Sequence, residues 1–112
     1  MTASPIFLEI LPTASQEIVE QAHYYRDKAD EALANRWQAA VVETIYSLRA
    51  APERGSLGDF KTDSISDLRR IGIRGFPKHL IFYRFIDASR TLVIVSVLHG
   101  ARDLESLLVT HH

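Results

Sequence analysis

Several residue types and patterns are missing from this sequence of 112 residues, and each absence excludes a class of protein. Cysteine is absent, which excludes a disulfide framework, a catalytic thiol and a thiolate metal site. No stretch approaches the ~18 to 20 unbroken apolar residues that a membrane-spanning helix needs. Residues 1–10 have no basic stretch ahead of an apolar run, so we expect a cytoplasmic protein without a membrane partner.

An excess of charge of one sign is also missing. The chain has 13 basic and 14 acidic residues, and only three of the basic residues are lysines. A protein whose whole surface binds nucleic acid is typically strongly basic, so the balanced charge disfavours that class. The charges are unevenly placed, because residues 69–86 contain five basic residues and no acidic one. That stretch indicates either an anion-facing patch or a strand with a solvated basic face.

The rest of the composition is that of an ordinary folded domain. Hydrophobic residues make up 46% of the chain and charged residues 24%, which argues against a disordered or low-complexity protein. A length of 112 residues is sufficient for one hydrophobic core and short for two. We therefore predict a single domain over residues 1–112.

The first half of the sequence predicts one strand followed by two helices. Residues 6–11 are a short apolar segment with a proline on each side, which is typical of a strand. Apolar residues at steps of three and four then predict a helix over residues 14–28. A second helix is predicted after Asp30, a good capping residue, and should end before Pro52. Two neighbouring helices with a short joint predict a helical hairpin.

The second half predicts a sheet, because the apolar period changes from about 3.6 to 2. Residues 52–63 show no period and predict a loop, and strands are predicted at residues 68–74, 79–86 and 91–99. Residues 102–109 predict a short final helix. Short joints between the strands indicate hairpins. The predicted fold class is α+β, in the order strand, helix, helix and three strands, with an antiparallel-dominated sheet covered by the helical hairpin.

Alternation along the predicted strands assigns their side chains to faces. Both faces of the last strand are apolar, one made of Val93, Val95 and Val97 and the other of Leu92, Ile94 and Leu98. A strand that is apolar on both faces belongs in the interior of a sheet. In the first of the three strands, alternation places Arg70 and Arg74 on one face and Arg69 on the other.

The motifs of the common enzyme classes do not occur in this sequence. It contains no phosphate loop, dinucleotide-binding fingerprint, paired-histidine helix or nucleophile elbow. The five histidines do not show the spacing of a metal site on one element. We therefore predict neither a metal nor a cofactor.

One group of residues on or beside the predicted sheet has the chemistry for a functional site. It consists of Arg69, Arg70, Arg74, Arg84 and Arg102, with Tyr83 and His99. Cleavage of RNA by its own 2′-hydroxyl needs two proton-transfer groups and cations around the phosphate, which tyrosine, histidine and arginine can supply. The structural alternative is that Tyr83 packs in the sheet, His99 bonds to backbone at a strand end, and the arginines cover the surface.

Four short runs carry a resemblance to a known family. They are residues 68–70 (LRR), 75–77 (GFP), 80–84 (LIFYR) and 97–104 (VLHGARDL). Together with the order of the elements, they resemble the ParE/RelE superfamily of type II toxin-antitoxin toxins, in its ParE-like, plasmid-stabilisation branch. The resemblance covers nearly the whole chain, although the helices match only in pattern.

The resemblance implies a growth-arresting toxin that a cognate antitoxin holds inactive in a hetero-oligomer. ParE-type members are associated with inhibition of DNA gyrase, whereas RelE-type relatives are ribosome-dependent endoribonucleases that cut messenger RNA. In the nuclease alternative, Arg70, Tyr83 and His99 are the catalytic candidates. The net charge of −1 and the few lysines depart from the basic surface of such nucleases, which favours a toxin that binds a protein and is not an enzyme. A third alternative is a member that has lost its toxicity and only binds its antitoxin.

The expected fold also indicates how an antitoxin binds. A helical layer on a sheet leaves a groove for a helix and an edge for an added strand. Tyr25 and Trp37 are candidate anchors on this surface, and the five arginines are further candidates for contact with the target or the antitoxin. Trp37 also lies on the apolar stripe of its helix, so the alternative for this residue is the core.

Overall fold

The computed structural model describes residues 5–58, 60–100 and 108–109 and shows a helical hairpin against a mixed sheet. Its elements are β1 (Phe7–Ile10), α1 (Pro12–Lys28), α2 (Glu31–Ala50), β2 (Ser56–Leu57), β3 (Arg69–Ile73), β4 (Phe76–Ile86) and β5 (Thr91–His99). The strand order is β1-β5-β4-β3-β2, with β1 parallel to β5 and the other pairs antiparallel. The predicted α+β class, antiparallel-dominated sheet and helical cover are confirmed.

The two helices begin and end for local reasons that the sequence contains. Pro12 is the first residue of α1, where its fixed φ suits a helix and its missing N–H is not needed, so the helix starts two residues before the predicted position. Asp30 caps α2 as predicted, since its carboxylate accepts a hydrogen bond from the Leu33 N–H at 2.7 Å. Neither helix in the described part of the chain is long and apolar enough to cross a membrane.

The sheet contains one strand more than predicted. Ser56 and Leu57, which lie in the predicted loop, form the edge strand β2 and pair with Arg70 and Arg69 of β3. Two residues are too few for a periodic pattern, so this strand could not be predicted from the sequence. A 3₁₀ turn, Asp63–Ile65, follows in the same connection.

Strand β4 also begins earlier than predicted, at Phe76. Gly75 has a φ of 85°, which glycine adopts without strain, and it closes a two-residue turn that pairs Ile73 with Phe76. The register then jumps to Gly72 opposite Leu80, so Pro77 lies in a part of β4 that has no β3 partner. Its missing N–H therefore breaks no hydrogen bond of that ladder.

A β-bulge in β5 corrects the predicted assignment of its two faces. The pairing moves from Phe82 opposite Ser96 to Tyr83 opposite Ile94, which leaves Val95 as an extra residue. Because of this extra residue, Val97 joins Leu92 and Ile94 in the core on the helix side. Leu98 instead joins Val93 and Val95 in a second core on the opposite side. The prediction that β5 is interior and apolar on both faces is confirmed.

The two faces of the sheet are covered by different parts of the chain. On one face α2 contributes the buried stripe Trp37, Val41, Ile45 and Leu48, and α1 contributes Ala14 and Ala22. The opposite face packs against Ile65 and Leu68 of the β2–β3 connection and against Leu108. Most of the predicted final helix, including Arg102, lies outside the described residues, of which Leu108 and Val109 are helical.

Candidate partner-binding groove

A groove runs between α1 and the ends of β4 and β5, and we call it the α1 groove. Its volume is about 1170 Å³. The α1 side is lined by Gln16, Glu17, Glu20, Gln21, Tyr24 and Tyr25, and the sheet side by Phe76, Lys78, His79, Val97 and His99, among others. The groove therefore combines apolar rings with polar and charged groups, which is typical of sites that bind and orient a partner.

The position of α1 depends on two small side chains and one carboxylate. Ala14 and Ala22 are buried, so the helix approaches β5 closely. Glu17 accepts hydrogen bonds from the Ser96 hydroxyl at 2.7 Å and from the Val97 N–H at 2.9 Å. These donors lie beside the bulge, where the ladder between β4 and β5 is interrupted. Glu17 thus supplies from α1 an acceptor that the neighbouring strand does not provide.

Two histidines form the sheet side of the groove. His79 on β4 and His99 on β5 are directly opposite in register, and their ring centroids are 5.3 Å apart. His79 is only 6% exposed, and its ring packs against Tyr25, Trp37 and Phe76. Its Nε2 atom is buried and has no hydrogen-bond partner. Burial lowers the pKa of His79 below its ordinary value, and the nearby His99 lowers it further, so His79 is neutral at pH 7.

Tyr83 is fully buried, and its hydroxyl is occupied by the protein itself. The hydroxyl donates to the Pro52 carbonyl at 2.7 Å and accepts from the Gly55 N–H at 2.8 Å. Burial raises the pKa of Tyr83 above that of an ordinary tyrosine. The side chain therefore fixes the loop after α2, as in the structural alternative, and its proton does not face solvent.

Two of the predicted arginines also hold loops. Arg69 donates to the Gly55 carbonyl at 2.8 Å, next to the Tyr83 contact. Arg84 donates to the Ser64 carbonyl at 3.1 Å and forms an ion pair with Asp67 at 3.3 Å. Arg70 and Arg74 are exposed, with Arg74 in the turn between β3 and β4, and Arg102 lies outside the described residues.

The structure does not bring Arg70, Tyr83 and His99 together. Arg70 is directly opposite Phe82, whose side chain belongs to the core away from the helices, so Arg70 points to that side of the sheet. Tyr83 belongs to the core on the helix side, and His99 lies opposite His79, which packs against α2. The three side chains therefore face different environments and do not surround one site.

The structure assigns the two predicted anchors to different environments. Trp37 is 0% exposed and is a core residue, which corrects the prediction that it contacts a partner and confirms the core alternative. Tyr25 is half-buried and lines the α1 groove. Its ring packs against Phe76, with 6.2 Å between centroids.

Sequence reasoning missed Glu17, Phe76 and His79 as groove residues. Ser96 was an available signal, because it is the one polar residue in the apolar run 92–98 and it marks the bulge that Glu17 serves. His79 gives no such signal, since its partner His99 is 20 positions away and their pairing depends on register. Within residues 5–58, 60–100 and 108–109, no three His, Asp or Glu side chains are placed to hold a metal ion.

The family described as the ParE toxin of the type II toxin-antitoxin system, parDE, matches residues 8–104. No protein of curated function matches the sequence. Among solved structures, the chromosomal ParDE toxin-antitoxin system from P. aeruginosa gives a TM-score of 0.68 at 12% identity, over 84% of this chain and 95% of that one.

Two further solved structures resemble this chain. A mutant of the E. coli toxin RelE in the free state gives a TM-score of 0.62 at 16% identity, over 96% of this chain and 94% of that one. The toxin-antitoxin complex RelBE2 from Mycobacterium tuberculosis gives 0.58 at 23% identity, over 86% of this chain and 99% of that one. At these identities the likeness concerns the fold.

Proposed function

Because the chain belongs to the ParE toxin family of type II toxin-antitoxin systems, we propose that it arrests growth by binding and inhibiting DNA gyrase. In this proposal a cognate antitoxin occupies the toxin and neutralises it in a hetero-oligomer. Both interactions take place in the cytoplasm. They require binding surfaces and no cofactor. The resemblance to the plasmid-stabilisation branch suggests gyrase, and the geometry of the arginine, tyrosine and histidine candidates supports a target that is bound and not cut.

The dispersal of the nuclease candidates is the observation that carries this proposal. Transesterification of RNA needs a base, an acid and a cation around one phosphate. The Tyr83 hydroxyl is instead committed to Pro52 and Gly55, inside the protein. Arg70 lies on the opposite side of the sheet from His99. These positions favour a protein-binding toxin over a ribosome-dependent nuclease.

The available positive charge supports the same proposal. Binding to ribosomal and messenger RNA gains affinity by counterion release, in proportion to the number of cationic contacts. This chain has a formal net charge of −1 and three lysines. Arg69 and Arg84 are engaged by carbonyls of their own loops. The acidic residues outnumber the basic ones, 14 against 13, so the chain offers no net positive charge to a phosphate backbone.

The α1 groove supports the antitoxin part of the proposal. Solved relatives include toxin-antitoxin complexes of the ParDE and RelBE types. A groove of about 1170 Å³ beside a helix has room for the side chains of a helical segment. A disordered antitoxin segment that folds on binding loses conformational entropy, so inhibition depends on a continued supply of antitoxin.

Induction of the chain alone in bacteria tests this proposal. We expect growth arrest, altered supercoiling of a reporter plasmid and intact translating messages, and restored growth when the antitoxin encoded beside the toxin is co-expressed. Purified protein should inhibit gyrase supercoiling in vitro. Cleaved messages with normal supercoiling would overturn the gyrase target in favour of the nuclease. Normal growth despite a soluble, folded product would favour the alternative in which toxicity has been lost.

A further inference from the structure

We propose that the α1 groove contains a subsite for a basic side chain, an arginine or a lysine, from the antitoxin segment that occupies it. This inference rests on the proposed function, because the antitoxin is the partner named there. It adds the chemistry by which that partner is recognised. Two features of the groove carry it, which are its charge and its aromatic rings, and the uncharged histidine beside them is compatible with a cation.

The charges that line the groove favour a cation. The α1 side contributes Glu17 and Glu20 and no lysine or arginine. On the sheet side the one permanently charged group among the lining residues is Lys78, which is exposed. Glu20 is held by Gln16 one helical turn away, with Nε2 to Oε1 at 2.9 Å, so its carboxylate is positioned at the groove. The lining therefore has an excess of negative charge, which complements a basic side chain.

The aromatic rings of the groove suit the same ligand. Tyr24 and Tyr25 pack edge to face with centroids 6.0 Å apart, and Tyr25 contacts Phe76 at 6.2 Å. Tyr24 is 55% exposed, so a face of this cluster is open. A guanidinium or ammonium group is attracted to aromatic faces by the ring quadrupole. A cluster of rings beside two carboxylates thus offers a cation both stacking and ion pairing.

His79 adds a buried, uncharged ring to the sheet side of the groove. It is 6% exposed, it lines the groove, and its buried Nε2 has no partner. The imidazole is neutral at pH 7, because burial and His99 lower its pKa. A neutral imidazole adds no positive charge to the lining and therefore does not repel a cationic ligand. A carboxylate ligand would face Glu17 and Glu20, so the groove disfavours it.

A pair of small probes tests the charge preference without knowledge of the antitoxin sequence. N-acetylarginine amide and its neutral isostere N-acetylcitrulline amide are titrated into the isotopically labelled full-length protein at pH 7.5. The readout is the aromatic NMR resonances of Tyr24, Tyr25, Phe76 and His79. We expect saturable shifts with the arginine probe at about 10 mM, and about fivefold weaker binding of the citrulline probe.

Matched variants separate the groove from the rest of the surface. Glu20→Gln and Tyr24→Ala should each weaken the arginine probe about threefold, since both side chains are exposed and support no other element. The controls are Glu43→Gln and Tyr46→Ala on α2, and Tyr46 has the same 55% exposure as Tyr24. Control variants should bind as the parent does, and circular dichroism should show the same fold for all four.

Equal binding of the two probes, tighter binding of N-acetylglutamate amide, or absence of saturable shifts would each overturn the subsite. Failure of the subsite and failure of the proposed function are distinguishable. If the protein arrests growth through gyrase but shows no preference for arginine, the subsite alone is wrong. If it prefers arginine but leaves gyrase unaffected, the subsite stands as a feature of the groove and the proposed target is wrong.

Discussion

Strand β4 carries two buried polar rings on the same face, and their surroundings differ. Tyr83 and His79 are four residues apart, or about 13 Å along the strand. At the Tyr83 end, the hydroxyl makes two hydrogen bonds with the loop after α2. At the His79 end, Nε2 has none and the ring borders an open groove. A buried polar group without a partner costs stability. The position of His79 is therefore not explained by stability, and we associate it with binding.

The two ends of β4 differ in whether their residues belong to structure or to function. The Tyr83 end contains most of the residues that the sequence runs made conspicuous, including Arg69, yet their hydrogen bonds close a loop. The His79 end contains Glu17 and His79, which no motif indicated. The two ends therefore predict opposite responses to substitution. Changes at the Tyr83 end should alter stability, and changes at the His79 end should alter binding.

The largest expected effect is that of Gly55→Ala. A Cβ atom at this position would lie 2.5 Å from the Tyr83 hydroxyl oxygen and 2.8 Å from the Arg70 carbonyl, which is backbone. We expect a loss of about 3 kcal/mol in the free energy of unfolding, measured by urea denaturation. Gly72→Ala is the control, because nothing lies within 4 Å of its Cβ, and its stability should stay within about 0.5 kcal/mol of the parent. A well-tolerated Gly55→Ala would contradict the close packing at this end.

Tyr83→Phe should have the next largest effect. It removes the hydroxyl and leaves the Gly55 N–H and the Pro52 carbonyl without their partner, at a cost of about 2 kcal/mol in urea denaturation. Growth arrest at 25 °C should persist, since the hydroxyl takes part in no chemistry in our proposal. Tyr46→Phe, an exposed tyrosine on α2, is the control. A stable Tyr83→Phe protein that has lost toxicity would reverse the assignment of this end to structure.

Glu17→Ala tests the contact between α1 and the bulge of β5. The substitution leaves the Ser96 hydroxyl and the Val97 N–H without their acceptor, and we expect a loss of about 1.5 kcal/mol. Amide hydrogen exchange at Val97 should accelerate in the variant. Glu20→Ala, on the same helix and bonded only to Gln16 among the described contacts, should change stability by less than about 0.5 kcal/mol. Equal effects of the two substitutions would mean that Glu17 does not hold the bulge.

The smallest effect is a dependence of stability on pH. The pKa of His79 is lower in the folded state than in the unfolded chain, so the unfolded chain binds more protons between the two values. Stability should therefore rise with pH through this window and fall as pH drops below about 6.5. His79→Phe should flatten this slope, whereas His23→Gln, an exposed histidine on α1, should retain it. An unchanged slope in His79→Phe would assign it to another group.

The sequence predicted the elements that have a clear period or a chemical marker. Asp30 indicated the start of α2, and the apolar run of β5 predicted an interior strand. The features that it did not predict depend on register and on tertiary packing. The bulge at Val95 exchanged the faces of Val97 and Leu98, because one extra residue reverses a period of two. The groove could not be predicted in detail, since Glu17, Phe76 and His79 come from three separate elements.

The parallel pairing of β1 with β5 joins the first strand of the sheet to the last one in the chain. Phe7 of β1 pairs with Thr91, and Glu17 bonds to Ser96 and Val97, 79 and 80 positions away. A ribosome releases the first strand and first helix long before β5 has been made. Contacts of such large sequence separation form late and slowly. The α1 groove is therefore absent from every incomplete chain, and a partner that recognises it binds only a finished molecule.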